Sequence, residues 1–304
     1  MTNFVTRLDD FGVIETGGAD ATAFLHGQLS SDILSLTDQQ SQFSAWCNAQ
    51  GRVICTLLVI RDQDRYLLLL PKDLVETVSQ RLKMFVLRAK VTISNLSQKM
   101  VCLGISGAES ETIAATMSLT ANASKPVIKA IIRHSNEPRI ILIIPTDSTS
   151  LDSSLTATAY PLTDKSAWQL ADIQDGIPWI TTPTSGELMP AELNLERLDG
   201  LSYNKGCYPG QEIIARLHFR GKLKRRLCQA YIDSQHIVLP AGARLHTGAE
   251  PVLAGTVIAC VHDSGHRMRL LAVIDMETTG TRSVFTENQE PVLFTPLPDP
   301  VKAG

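Results

Sequence analysis

Lys205-Gly206-Cys207-Tyr208-Pro209-Gly210-Gln211-Glu212, continued by Ile213-Ile214-Ala215-Arg216, is the densest unusual run in this chain of 304 residues. Gly206 and Gly210 bracket a tight loop, where backbone can approach a ligand closely or turn through positive φ. Pro209 suits the first turn of a helix, and residues 211–218 have the composition for a short one. Glu212 and Arg216 stand i, i+4 on that helix and can pair. Cys207 then lies just before a helix N-terminus and near Lys205, and both influences favour thiolate over thiol. Cys47, Cys55, Cys102, Cys228 and Cys260 sit in or beside apolar, strand-like runs and read as small buried hydrophobes. The neighbours of Cys207 are Gly, Tyr, Pro and Lys, which makes it the candidate reactive thiol.

Downstream, the charge is one-sided. Arg216, Arg220, Lys222, Lys224, Arg225 and Arg226 fall within 11 residues, and no acid stands between Ile213 and Ile232. The commoner reading of such a run is a solvated face. After Gly221 the texture changes. Short apolar runs alternate with Gly242, Gly248, Gly255, Gly265 and Gly280, and residues 227–232, 256–261 and 268–274 read as strands with no helical pattern among them. A small all-β barrel or sandwich is expected there. The boundary falls near Lys222, giving domains of 1–222 and 223–304.

Upstream, Gly17-Gly18 and an N-capping Asp20 lead into a short amphipathic helix with Ala21, Phe24, Leu25 and Leu29 on one face. Residues 42–47, 53–61 and 66–70 read as a meander with turns at Gln50-Gly51 and Asp62-Gln63-Asp64. Pro71-Lys72 open a helix whose Leu74, Val75, Val78, Leu82, Phe85 and Val86 keep helical spacing. Then follow a strand at 101–105, a helix at 109–119, strands at 127–132 and 139–144, and a weak helix from Asp147, close to a split β-α-β pattern. Thr163 is expected to cap a helix running to Asp175, with Gly176 as its stop and Pro178 beyond. The expected fold class is α+β, with a C-terminal β-barrel.

At 44% apolar and 19% charged residues the composition excludes a disordered or fibrous chain. A net charge of −3 argues against a generally nucleic-acid-binding surface while leaving room for the local basic patch. No C-x-x-C occurs and no cysteine sits beside a histidine at zinc-ligand spacing, so no resident metal site is expected. MTNFVTRLDD is not a signal peptide, and the longest apolar runs, 67–70 and 140–144, fall far short of the ~20 residues of a membrane span. A cytoplasmic location with reduced thiols and no membrane partner is the expectation.

The string K-G-C-Y-x-G-Q-E-x-x-x-R formed by Lys205, Gly206, Cys207, Tyr208, Gly210, Gln211, Glu212 and Arg216 resembles the signature of the YgfZ-type folate-binding proteins, relatives of the glycine-cleavage T-protein (aminomethyltransferase). The likeness runs in order along the whole chain. Leu8-Asp9-Asp10-Phe11 with Gly18-Ala19-Asp20 is similar to the family's N-terminal start. Phe24-Leu25-His26-Gly27-Gln28-Leu29 with Asp32 looks like its F-L-x-G-Q-x-x-x-D element, and Gly51-Arg52-Val53 its K-G-R turn. Met189-Pro190 and Asn194-Leu195 match the stretch before the signature, and Gly255-Thr256-Val257 the G-T-V of the barrel.

The resemblance implies a body of interleaved α+β subdomains followed by a barrel, with tetrahydrofolate or a derivative in a central cavity. It also implies a part in assembling or repairing iron–sulfur clusters, including those of tRNA-modifying enzymes. The partners would be iron–sulfur assembly proteins or cluster-containing client enzymes, with tRNA itself a less favoured one. By the same route the folate-contacting positions are Phe11, where the family has a tryptophan, and Trp168. Aromatic faces there can stack on a pterin. Gln174 stands where the T-protein has its pterin-binding glutamate, and supplies no charge. Asn194, Tyr208, Gln211, Glu212 and Arg216 complete the expected binding set, with Cys207 and Lys205 as the reacting pair. Cys55-Thr56 replace the T-protein's Asp-Asp, so a carboxylate that assists one-carbon transfer is missing. That weighs against the alternative, a tetrahydrofolate-dependent aminomethyl-type transferase. A nucleic-acid or protein-binding module using the basic patch is the third reading.

Overall fold

The computed structural model describes residues 3–120, 127–132, 135, 137–146, 160, 162–234, 239–248, 252–263, 267–279, 283–295 and 297; the weak helix expected from Asp147 lies outside the described residues. The first sheet holds β2 (Phe11–Gly17), β3 (Ser41–Cys47), β4 (Val53–Asp62), β5 (Arg65–Pro71) and β6 (Thr92–Asn95) in the antiparallel order β3-β4-β5-β2-β6. Val53 to Ile60 of β4 are all buried, which is why that strand reads as an unbroken apolar run rather than an alternating one. α1 (Ala21–Gln28) follows β2. The Asp20 side chain does not cap it; its carboxylate accepts from the backbone N–H of Lys90 at 2.7 Å. α2 (Lys72–Met84) buries Leu74, Val75, Val78 and Leu82, with Asp73 in its first turn and Arg81 and Lys83 in its last, the arrangement a helix dipole favours. It stops short of Phe85 and Val86; Phe85 is its C-cap and stays exposed.

The second sheet is assembled from β1 (Phe4–Arg7), β7 (Met100–Ser106), β8 (Ile128–Ile131), β9 (Arg139–Pro145) and β10 (Leu162–Thr163), in the order β10-β1-β7-β9-β8. Because β1 pairs here while β2 pairs in the first sheet, the two sheets interleave along the chain. α3 (Ser110–Thr120) packs on β7 and β9 through Ile113, Ala114 and Met117. α4 (Ser166–Asp175) lays Trp168 over Gly104 of β7, where a Cβ would sit 2.5 Å from the indole. Thr163 lies in β10 instead of capping α4; the Asp164 carboxylate accepts from the Ser166 N–H at 2.8 Å, one residue closer to the helix. Gly176, at φ 70°, ends α4 as expected.

After α5 (Gln211–Arg220), β11 (Arg225–Ile232), β12 (Arg244–Thr247), β13 (Leu253–His262), β14 (Met268–Asp275), β15 (Val284–Phe285) and β16 (Pro291–Thr295) close a barrel in the order β11-β14-β13-β12-β15-β16. Ile232, Leu245, Val257, Leu270 and Ile274 fill it. One four-residue helix, α6 (Met276–Thr279), follows β14; a single turn is too short to leave a periodic signal in the sequence. The barrel is tied to the body by polar groups. Leu227 exchanges bonds with the body: its N–H donates to the Glu192 carbonyl and its carbonyl accepts from Asn194 Nδ2. The half-buried Arg225 guanidinium forks onto the Glu192 carboxylate at 2.9 and 3.1 Å. Gln229 Nε2 donates to the last carbonyls of α4, those of Ile173 and Gln174. No described helix is long and apolar enough to cross a membrane.

The most demanding group in the body is Arg139, at the start of β9. Its side chain is fully buried; Nη1 donates to Asp175 at 2.9 Å and Nη2 to Asp172 at 2.5 Å, and the guanidinium lies 3.9 Å from the Trp168 ring centroid. Burial pushes the Asp172 carboxyl up to about 6, against the pull of Arg139. Replacing Arg139 with Ala strands two buried carboxylates, and urea unfolding should show a loss of about 3–5 kcal/mol. A carboxyl whose folded pKa is raised holds its proton more tightly in the folded chain, so its contribution is largest at low pH and is lost as pH rises toward 6. The difference in stability between Asp172→Asn and the parent chain should therefore change between pH 4 and pH 7, measured by urea midpoints at each pH.

Candidate functional site

The segment leaving α4 lines a cavity of about 670 Å³ between body and barrel. Its walls are the β1–β2 turn and Phe11, the β5–α2 junction at Pro71 to Asp73, Gln169 and Asp172 of α4, Ile177, Trp179 and Thr181, and the barrel residues Leu239 to Ala241 and Ile258 to Cys260. That volume falls in the usual range for small-molecule sites, and so does a mainly apolar wall with a few fixed polar groups. Trp179 is the central wall residue. Its ring meets Phe11 edge-on, with centroids 4.7 Å apart, and its Nε1 donates to Asp172 Oδ2 at 3.0 Å. The other Asp172 oxygen belongs to Arg139. A carboxylate at the cavity wall is thus held in one orientation by a buried cation and an indole. On its far side Trp179 lies 5.5 Å from Phe43, which lines a second hollow of about 260 Å³ with Leu198 and Ile131.

Phe11, a folate-contacting position by the family resemblance, lies in the cavity wall. Trp168 is different. It is 1% exposed, packed on Gly104 and Arg139, and does not line the cavity, whereas Trp179 does. Gln174 is half-buried on the far turn of α4, and its backbone carbonyl accepts from Gln229 Nε2. Asn194 adopts φ 54° and serves the body–barrel junction. Trp179, Asp172 and Arg139 were missed. Two signals could have found the first two: a rare aromatic three residues past the Gly176 stop, and an acid one helical turn before it.

The signature loop docks elsewhere, on the Asn48–Arg52 turn and the end of α1. Gly210, at φ 79°, comes so close that a Cβ would lie 2.5 Å from Gly51 Cα, and Gly51 itself sits at φ 73°. Lys205 Nζ donates to the carbonyls of His26, Leu29 and Ser31 at 2.5, 2.6 and 2.9 Å, so its three protons tie the last turn of α1 to the stretch that leaves it. Burial pulls its pKa down to about 8, with Asp32 acting in the opposite direction. Tyr208 is buried beneath, its ring 5.1 Å from Lys205 Nζ, and burial raises its hydroxyl pKa. Gln211 Nε2 donates to the Lys205 carbonyl at 3.3 Å and holds the loop to α5. Glu212 and Arg216 are both exposed and form no pair with each other, because each lies free on the outer face of α5. Cys207 is exposed at the loop tip, outside the residues lining the cavity. The geometry therefore gathers Lys205, Tyr208 and Gln211 as supports of a presented thiol, and separates them from Phe11, Trp179 and Asp172.

Cys47, Cys55 and Cys102 are fully buried, and burial drives their thiols upward, Cys55 and Cys102 to about 12. Cys228 and Cys260 are half-buried and also raised. Titration of the native chain with a disulfide reagent should therefore show a single fast thiol that disappears in Cys207→Ser. Three thiols should appear only on unfolding.

Residues 5–131 match the family model described as GCVT N-terminal domain. The chain is 30% identical over 305 residues to tRNA-modifying protein YgfZ of Edwardsiella ictaluri, covering 96% of this chain and 91% of that one. It is 32% identical over 230 residues to tRNA-modifying protein YgfZ of Colwellia psychrerythraea, covering 74% and 70%. Among solved structures it superposes on the glycine cleavage system aminomethyltransferase T from Bartonella henselae with a TM-score of 0.77 at 16% identity, over 96% of this chain and 84% of that one. That last likeness fixes the fold: interleaved α+β sheets with a closed barrel. On these two sequence matches, the longer covering 96% of the chain at 30% identity, the chain belongs to the YgfZ family.

Proposed function

We propose that this chain is a folate-binding factor that supports tRNA modification by maintaining the iron–sulfur clusters of modifying enzymes. The observation that carries the folate part is the cavity wall made by Phe11, Trp179 and the fixed carboxylate of Asp172 in a T-protein fold. A pterin is flat, apolar on its faces and rich in N–H donors at one edge. Phe11 and Trp179 offer faces and edges to stack against, and Asp172 offers an acceptor. Bound there, a reduced folate would supply a one-carbon carrier. The chain's own residues bind it, orient its ring and keep water from it.

The RNA-modification part rests on the names of the relatives and on Cys207, an exposed thiol on a rigidly built loop. In this reading Cys207 faces the client, outside the folate cavity, and Lys205 acts as a positioning residue through the end of α1. The transferase alternative gains nothing from the site. Cys55 is fully buried in β4, and the Thr56 hydroxyl is taken up by the Pro178 carbonyl and the Ile180 N–H, so neither replaces the absent carboxylate.

Two measurements test the proposal. Tetrahydrofolate should quench tryptophan fluorescence with saturation, and the response should vanish in Trp179→Phe while Asp172→Asn weakens binding by about tenfold, the loss expected for one charged hydrogen bond. In cells that depend on this chain, Cys207→Ala should abolish cluster-dependent nucleoside modification in tRNA at unchanged protein level. Normal modification in that variant, or no response to any reduced folate, would overturn the corresponding half.

A further inference from the structure

α5 turns Ile214 inward and leaves Ile213, Arg216, Phe219 and Arg220 in solvent. Phe219 is 70% exposed, an unusual place for a ring on an ordinary solvated helix face. It does not stand alone. Tyr203 stacks on His218 with centroids 3.9 Å apart and planes 25° apart, and Phe219 meets the two edge-on at 6.0 and 4.8 Å. The Tyr203 hydroxyl donates to Glu196, which also lies 3.6 Å from His218, so the cluster is anchored from behind. Lys222, Lys224 and Arg226 extend the exposed surface beyond the helix. Among the described residues, Arg216, Arg220, Lys222, Lys224 and Arg226 form no ion pair; Arg225, between them in sequence, is the one turned inward, onto Glu192.

We propose that this face docks single-stranded RNA, with the five exposed cations on phosphates and the Phe219 and Tyr203–His218 rings against unstacked bases. Cations of one sign without partners are what a polyanion needs. A ring platform among them is of use only to a polyanion with flat apolar groups, and bases supply those when they are not paired in a duplex. An acidic protein surface would match the charge and leave the rings without a function. The choice of RNA rests on the tRNA-modification reading above; the surface itself lies apart from the folate cavity.

The test uses the full chain and fluorescence anisotropy with a labelled unstructured oligoribonucleotide, its duplex with the complementary strand, inorganic polyphosphate and poly-glutamate as competitors. The single strand should bind with log affinity falling linearly in log salt, at a slope of about −3 to −4 for five phosphate contacts. Duplex, polyphosphate and poly-glutamate should compete at least about tenfold more weakly. Phe219→Ala should cost about tenfold with the salt slope unchanged, whereas Arg216→Glu with Arg220→Glu should weaken binding and flatten the slope by about 1.4. All three positions are in solvent, so thermal unfolding should match the parent; Lys222→Glu with Lys224→Glu gives a second pair should either variant unfold early. Absence of salt-dependent binding, equal competition by polyphosphate or poly-glutamate, or an unchanged affinity in Phe219→Ala would overturn the proposal. Folate quenching of Trp179 and tRNA modification in cells report separately, so failure here is distinguishable from failure of the functional reading.

Discussion

A single buried guanidinium organises the body. Arg139 begins an inner strand of the second sheet, and among the described residues its charge is answered by α4, through Asp172, Asp175 and the face of Trp168. Sheet and helix are therefore fixed by direction as well as by apolar area. A hydrophobic contact could slide; a guanidinium with two carboxylates in its forks cannot. Everything downstream inherits that register. Gly176 turns the chain at a set point, Trp179 arrives where its N–H reaches the second oxygen of Asp172, and the cavity wall is placed. The barrel is held to the same helix by Gln229, so both sides of the cavity refer to α4.

The signature loop is governed by a different logic. Its lysine turns away from the cysteine and collects carbonyls from the last turn of α1 and the stretch that leaves it. A loop that carries an exposed thiol has little apolar area of its own to hold it. The ammonium supplies the missing constraint from below, and Tyr208 fills the space beneath. A walled cavity and an outward loop with an exposed cysteine thus sit at two places on one scaffold, each with its own anchor.

Much of this was legible in residue order. The meander, the split β-α-β pattern, the glycine stop at 176 and the barrel all follow from local periodicity and turn chemistry, which depend on neighbours in sequence. The site was legible only in part. Phe11 and Cys207 could be singled out, since one carries a ring at a motif position and the other has polar, glycine-rich neighbours. Trp168 and Trp179 differ in a way no local pattern states: one meets a glycine from a distant strand, the other an open cavity. The same holds for Lys205, whose acceptors lie some 175 positions away in the chain. Thr163 and Asp20 are plausible caps on local grounds, but the Thr163 hydroxyl donates to the Val5 carbonyl and the Asp20 carboxylate accepts from the Lys90 N–H.

At the meeting of Gly51 and Gly210 the main chain itself is the contact surface. Each takes a positive φ, and at Gly210 the missing side chain is what lets two stretches of main chain touch. A substitution at Gly210 would lift the cysteine loop from its seat, and one at Gly51 would reshape the seat itself. Two segments separated by most of the body are in this respect one structural unit, and the height at which the cysteine loop sits is set by a missing side chain rather than by one that is present.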